Sequence, residues 1–324
     1  MDKIKELERL ITQKYGNTGA VMVQKSGSVV YEYYLNDCTQ QSPFHVFSVA
    51  KSILSLLIGI AIDKGYIESI DQPVLSFFPD YKVSKREKTI QKIRLRDMLT
   101  MTTPYKYLFA GPYKKYFSSE DWVKSSLDYL GGRGKIGKFC YAPIIGPDIF
   151  SGIIVKATGK SVLEFANEHL FDPLDIRIPG NIEFHSKEEQ MEFYNSRTVE
   201  GWVLGSGGVH TGGWGLVLKP ADMLKIGQLL INRGSWNGQQ LISEKWIKES
   251  TSNKSCWKNM KYGYLWWVID EEQKSFAALG DGGNALYVNP KEELVVVFAC
   301  YFKPKAEDRI QLIKEYIEPI WKNK

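Results

Sequence analysis

The feature that most constrains this 324-residue chain is Ser52-Ile-Leu-Ser-Leu-Leu-Ile-Gly-Ile-Ala-Ile62, 11 consecutive residues without a charge. A helix with no polar face must be covered on nearly every side. The run is well short of the roughly 18 apolar residues needed to cross a bilayer, so it reads as a core helix. The surrounding segment, from Val46 to Gly65, is therefore expected to be buried, and Gly65 is expected to end it. At 324 residues with 44% hydrophobic and 24% charged residues, the chain has enough material to build layers around such a helix. This composition excludes disordered, collagen-like and coiled-coil classes.

The flanking patterns say how those layers are built. Apolar residues at 4, 7, 10 and 11 predict an amphipathic helix over 3–14. A strand through Ala20–Gln24, a turn at Lys25-Ser26-Gly27-Ser28 and a second strand through Val29–Leu35 follow. Between 97 and 200 the patterns are mostly helical, at 122–130, 149–159 and 162–170. A helix is expected from Pro220 to about Arg233. Three strand-like runs come next, Tyr262–Ile269, Asn284–Asn289 and Glu293–Cys300, and then a helix over 306–318. The expected fold class is α/β in the broad sense, with α+β layout. Residues 1–80 and 201–324 form a body around an antiparallel sheet, and 81–200 form an inserted, mainly helical lobe.

Charge and motif content remove several functions. The net charge of +5 is mild, and seven basic residues between Lys82 and Arg96 lack interleaved aromatics. They read as a solvated face, so no nucleic-acid partner is expected. Cysteines 38, 140, 256 and 300 have no ligand-like spacing and suit a reducing compartment. The charged N-terminus lacks the apolar core of a secretory signal, which favours a cytoplasmic protein with no membrane partner. There is no Gly-x-Ser-x-Gly and no His-Glu-x-x-His, and histidines 45, 169, 185 and 210 lack zinc spacing. Gly132–Lys138 approximates a phosphate loop, but Phe139 stands where a Ser or Thr would be needed. Neither a cofactor nor a metal is expected.

What remains is Ser48-Val-Ala-Lys51 at the start of the buried helix. Residues three apart share a helix face and can touch. Burial lowers a lysine's proton affinity because the ammonium loses its water, and a neutral amine can take a serine proton. A capping serine and a snorkelling lysine would give the same spacing without chemistry.

The context of this pair resembles the serine β-lactamase and penicillin-binding-protein superfamily, in its class-C-like branch of esterases, D-aminopeptidases and nylon-oligomer-type amidases. Phe47–Ser52 is similar to the nucleophile motif, and Ile93–Thr103 to the segment that follows it. Phe139-Cys140-Tyr141 sits where the second-motif tyrosine is expected. Thr158–Ser161, Phe171–Leu174, Gly212–Leu216, Trp236–Gln239 and Tyr262–Tyr264 with Trp266-Trp267 continue the match in order. The resemblance implies a β-lactamase/transpeptidase-like fold and an acyl-enzyme on Ser48. Lys51 would be the base, and Tyr141 would act as phenolate or through a proton relay with Lys51.

The resemblance also implies an oxyanion hole made by the Ser48 N–H and one N–H near Gly283–Ala285. The third motif would lie in Gly280-Asp281-Gly282-Gly283-Asn284-Ala285. Tyr105, Tyr107, Trp214 and Trp266, with Trp267 beside it, are candidate pocket residues. Two departures bear on substrate. Tyr141-Ala142-Pro143 lacks the side-chain amide common in relatives, and Asp281 lies where a cation would hold a carboxylate. The function this implies is a serine hydrolase acting on a small-molecule ester, amide or short peptide. The alternatives are a β-lactamase or D-alanyl-D-alanine carboxypeptidase, or a catalytically silent binding protein. Oligomeric state stays open.

Overall fold

The computed structural model describes residues 3–107 and 112–322. Its centre is an eight-stranded sheet in which every neighbouring pair is antiparallel. Across the sheet the order is Ser255–Trp257, Met260–Tyr262, Trp267–Asp270, Ser275–Gly280, Asn284–Asn289, Leu294–Cys300, Thr18–Lys25 and Ser28–Tyr34. The two chain ends therefore meet at the pairing of Thr18–Lys25 with Leu294–Cys300. The N-terminal hairpin closes through Ser26 and Gly27, both at positive φ, the geometry that suits the twist of flanking strands.

Both faces of the sheet are covered, and the strand Leu294–Cys300 shows why it carries no polar residue. Val295 and Val297 pack with the apolar helix Val49–Asp63 and the helix Pro220–Ile231. The alternate residues Leu294, Val296 and Phe298 pack with Leu7 and Ile11 of the helix Lys3–Lys14 and with Leu312, Ile313 and Ile317 near the C-terminus. A strand buried on both sides loses the alternation of a half-exposed one. The helix Val49–Asp63 is buried at every residue from Val49 to Ala61, as its composition requires.

A helical lobe lies between the two halves of the sheet's sequence. It includes Trp122–Tyr129, Asp148–Thr158, Val162–Ala166 and Lys187–Asn195, and Asp148–Thr158 packs on the apolar helix. Three small strands, 181–182, 202–205 and 209–210, join this lobe to the Gly-rich passage that follows it.

The structure corrects the sequence reading in the C-terminal third. Tyr262–Ile269 is not one strand. Leu265 has a positive φ, and a Cβ on Gly263 would lie 2.0 Å from the Ser250 carbonyl. The run breaks there into Met260–Tyr262 and Trp267–Asp270, which pair with each other. The strand Ser275–Gly280 had no sequence signal strong enough to separate it from the preceding charged turn. Among the described residues no helix is long and apolar enough to cross a membrane.

Gly59 tests how tightly the central helix is packed. A Cβ there would lie 2.3–2.5 Å from three atoms of the Trp246 ring, whose indole donates to the Ser55 carbonyl at 3.0 Å. Helix propensity alone would make Gly59→Ala stabilising by about 1 kcal/mol. Overpacking costs about 1–3 kcal/mol, and displacing the indole also breaks its hydrogen bond. The expected result is a lower urea midpoint; an unchanged or raised midpoint would show that Trp246 can move aside freely.

Candidate active site

The short bridge between Phe44–His45 and Val217–Leu218 ties the segment before Ser48 to the Gly-rich passage. Val46 N–H donates to the Leu216 carbonyl, and Gly215 N–H donates to His45 Nε2 at 2.8 Å. Burial depresses the His45 proton affinity to a pKa of about 3, so the ring is a neutral acceptor that fixes this crossing. The chain then turns through Phe47, a bulky residue at φ 48°, and enters the helix with Ser48 as its N-cap. A non-glycine aromatic in this left-handed region is strained, a cost usually tolerated where geometry matters.

Lys51 is 1% exposed, and its ammonium faces three oxygens. Lys51 Nζ lies 2.7 Å from Ser48 Oγ, 2.8 Å from the Pro143 carbonyl and 3.2 Å from the Gly213 carbonyl. Burial pulls its pKa from the usual lysine range to about 7, against the opposing pull of Asp281 and Asp148. The three partners explain what neutralisation does. A neutral amine keeps two N–H groups, which the two carbonyls can accept, and its lone pair is left facing the serine hydroxyl. Gly212 and Gly213 permit this crowding. A Cβ on Gly212 would lie 2.2 Å from the Pro147 carbonyl, and one on Gly213 would lie 2.8 Å from the Pro143 carbonyl.

Tyr141 is positioned from three sides. The segment Ile93–Thr103 supplies backbone anchors, with the Met101 carbonyl accepting from Cys140 N–H at 2.7 Å and the Thr102 carbonyl from Gly137 N–H. Trp267 packs against the tyrosine ring at 5.8 Å, Tyr262 meets it edge-on at 6.5 Å, and Lys51 Nζ lies 5.3 Å from the ring centroid. Burial and the Asp281 charge raise the phenol pKa to about 12, although a hydrogen bond with Ser48 opposes them. The side chain is thus a neutral phenol near pH 7, which favours the proton relay over the phenolate.

The third-motif residues divide by direction. Gly280 faces the serine: a Cβ there would lie 2.3 Å from the Val46 carbonyl and 3.3 Å from Ser48 N. The next strand, Trp267–Asp270, pairs only with Ser275–Ala277, so Ala278–Gly280 projects beyond it towards Ser48. Gly283 faces the Arg309 guanidinium, and Gly282 faces Tyr301. Ala285 is fully buried on the opposite face of the sheet. Of the expected third-motif residues, Gly280 is thus the one whose backbone abuts Ser48 N. Asn284 holds the turn by donating to the Asp281 and Cys300 carbonyls and accepting from Cys300 N–H.

Among the other candidates, Trp266 is fully buried against Phe276, and its neighbour Trp267 lies beside Tyr141. Trp214 is buried in an aromatic cluster with Trp122, Phe184 and Tyr194. Tyr105 abuts Gly146 and Tyr107 donates to the Ile145 carbonyl, so both brace the segment after Tyr141. His210 is buried with Nε2 on Asn181, away from Lys51. Among the described residues no group of three or more His, Cys, Asp or Glu is placed to hold a metal.

Sequence reasoning missed Asp148. Its buried carboxylate accepts from Gly212 N–H at 2.8 Å and from the Tyr116 hydroxyl, and its charge acts on Lys51. Burial raises its pKa to about 6. The signal was a single acid opening an otherwise apolar helix, which reads equally as an ordinary first-turn carboxylate.

With this geometry in view, the sequence matches the Beta-lactamase family over residues 6–316. The chain belongs to that family. It is 22% identical over 306 residues to the 6-aminohexanoate-dimer hydrolase of Paenarthrobacter ureafaciens, covering 86% of this chain and 71% of that one. A solved structure from Bacillus anthracis, provisionally named a 6-aminohexanoate-dimer hydrolase, superimposes with a TM-score of 0.75. It is 20% identical and covers 98% of this chain and 81% of its own. The octameric penicillin-binding protein homologue from Pyrococcus abyssi gives 0.71 at 18% identity, covering 99% and 77%. As a β-lactamase family member, the chain has the family's α/β fold with an antiparallel sheet and an inserted helical lobe.

The electrostatics predict a pH profile. If Lys51 must be neutral to accept the serine proton, acylation rises with pH through about 7 and levels above it. Asp148→Asn removes a negative charge that favours the ammonium, so the acid limb should move to lower pH. Stopped-flow acylation rates between pH 5 and 9 check both outcomes; an unmoved limb in the variant would remove Asp148 from the tuning of Lys51.

Proposed function

We propose that this chain is a serine hydrolase that cleaves an ester or amide bond of a small substrate through an acyl-enzyme on Ser48. The observation that carries this reading is Lys51, buried, with its amine 2.7 Å from Ser48 Oγ and its remaining bonds directed to two carbonyls. The name of the Paenarthrobacter relative, 6-aminohexanoate-dimer hydrolase, supports hydrolysis as the reaction.

In this reading Ser48 Oγ attacks the substrate carbonyl carbon while Lys51 takes the hydroxyl proton. The tetrahedral oxyanion sits between the Ser48 N–H and the main chain of the Ala278–Gly280 edge. The neutral Tyr141 phenol passes a proton to the departing alcohol or amine and is reprotonated from Lys51. Water then attacks the acyl-enzyme by the reverse path, releasing the acid and restoring Ser48. Pro143 and Asp281 supply neither an amide donor nor a cation for a β-lactam carboxylate, so esters and simple amides rank above penicillins.

Incubation with a fluorophosphonate is expected to label wild-type protein at Ser48, located by peptide mass spectrometry. Ser48→Ala and Lys51→Ala are each expected to lower p-nitrophenyl ester hydrolysis by roughly 10³-fold or more, with the fold intact by circular dichroism. Nitrocefin should turn over more slowly than the best ester. Absence of labelling together with no turnover across esters, D-amino acid anilides and nitrocefin would leave the silent binding protein as the better reading.

A further inference from the structure

The mouth of the cleft carries a carboxylate beside exposed aromatic surface. Asp281 directly follows Gly280, whose backbone abuts Ser48 N, and the Asp281 side chain is exposed. Among the described residues no lysine, arginine or histidine forms an ion pair with it. Phe302 shares a cavity with this position, and two more rings pack with Phe302. Phe47 stacks on Tyr194 at 6.1 Å and on Phe302 at 5.4 Å, and Tyr194 lies 6.4 Å from Phe302. Phe302 is 45% exposed, and it borders the same cavity of about 470 Å³ as Asp281. The Asp281 charge is felt at Tyr194, Tyr141 and Lys51, so it acts on both the rings and the reacting groups.

The nearby cations are mostly engaged elsewhere. Lys303 pairs with Glu307 at 3.0 Å. Arg309 is committed to Asn17 and the Glu307 carbonyl, and Arg197 lies over the Tyr301 ring at 4.4 Å. Lys305 also borders the cavity. A carboxylate beside aromatic side chains is complementary to an organic ammonium, which can gain both an ion pair and a cation–π contact while its alkyl groups cover the rings. An anionic group at the same place would meet repulsion from Asp281.

We propose that Asp281, with Tyr194 and Phe302, forms a subsite for an organic ammonium group, and that the substrates of this site are esters or amides bearing a positively charged amine. The proposal rests on the Ser48 hydrolase reading for its reaction and names the substrate class of that site. The third motif thereby selects a charge opposite to the one that a lysine there would select.

Two pairs of esters, matched in shape and differing in charge, test it. The first is p-nitrophenyl 6-(trimethylammonio)hexanoate against p-nitrophenyl 7,7-dimethyloctanoate. The second is butyrylcholine against 3,3-dimethylbutyl butyrate, and the p-nitrophenyl half-ester of adipate supplies the anion. In at least one pair kcat/KM is expected to favour the cation by about tenfold at low salt, with the preference shrinking as salt rises. Asp281→Asn should bring that ratio close to one, and Asp281→Lys should turn the preference towards the adipate half-ester.

Calorimetry on Ser48→Ala provides a readout independent of turnover. Butyrylcholine should bind about tenfold more tightly than its neutral isostere, and the difference should vanish in Ser48→Ala/Asp281→Asn. Ser48-dependent hydrolysis without ammonium preference in either pair, or with the anion preferred through Lys305, overturns the subsite and leaves the hydrolase standing. Absence of all hydrolysis and labelling defeats the hydrolase reading, while the calorimetric comparison still decides whether Asp281 binds ammonium.

Discussion

The rest of this structure is arranged around one buried amine. Lys51 has lost nearly all contact with water, and an ammonium in that position needs oxygen partners in fixed places. Two of them, the Pro143 and Gly213 carbonyls, come from segments far apart in the chain, and the third is the Ser48 hydroxyl. Bringing those segments together requires the helical lobe, the Gly-rich passage and the apolar helix to meet at one point. The close approaches of Gly212 and Gly213 to the 143–148 backbone are the local signature of that requirement.

The same arrangement sorts the titratable groups into separate roles. Burial drives Lys51 down to about 7 and Tyr141 up to about 12, so near neutrality one group can accept a proton while the other still holds one. Asp148 lies behind Lys51 and Asp281 lies at the cleft mouth, and both charges oppose complete neutralisation of the amine. The buried carboxylate is held by Tyr116 and Gly212, whereas the exposed one is free to meet a ligand. Two acids with similar effects on the lysine thus have different surroundings, one buried in the wall and one exposed.

The meeting of Ser48, Lys51 and Tyr141 was legible because their motifs are local, a serine and a lysine three apart on one helix face and a tyrosine in a recognisable order. The fold was legible for the same reason: an unbroken apolar helix and a β-branched final strand allow few environments. The residues hardest to place were those whose neighbours face opposite ways. Trp266 and Trp267 are equivalent as letters, but adjacent side chains around a strand point to opposite faces, so one is core and the other lies against Tyr141. That Gly280, rather than Gly283 or Ala285, abuts Ser48 N has a similar origin. It depends on how far the short strand Trp267–Asp270 extends beside its neighbour.

The sequence alone determined that a serine and a lysine three residues apart open a helix that must be buried, since both spacing and burial are properties of one continuous segment. It also determined the sheet-and-lobe organisation and the order of the motifs. Only the tertiary structure decided which carbonyls receive the lysine, that Tyr141 is protonated, that Asp148 lies close enough to act on Lys51 and that Asp281 shares a cavity with Phe302. Those depend on distances between segments separated by about a hundred residues or more, and on the water excluded when they pack. Proton affinity is set by that exclusion, so it exists only once the chain has folded.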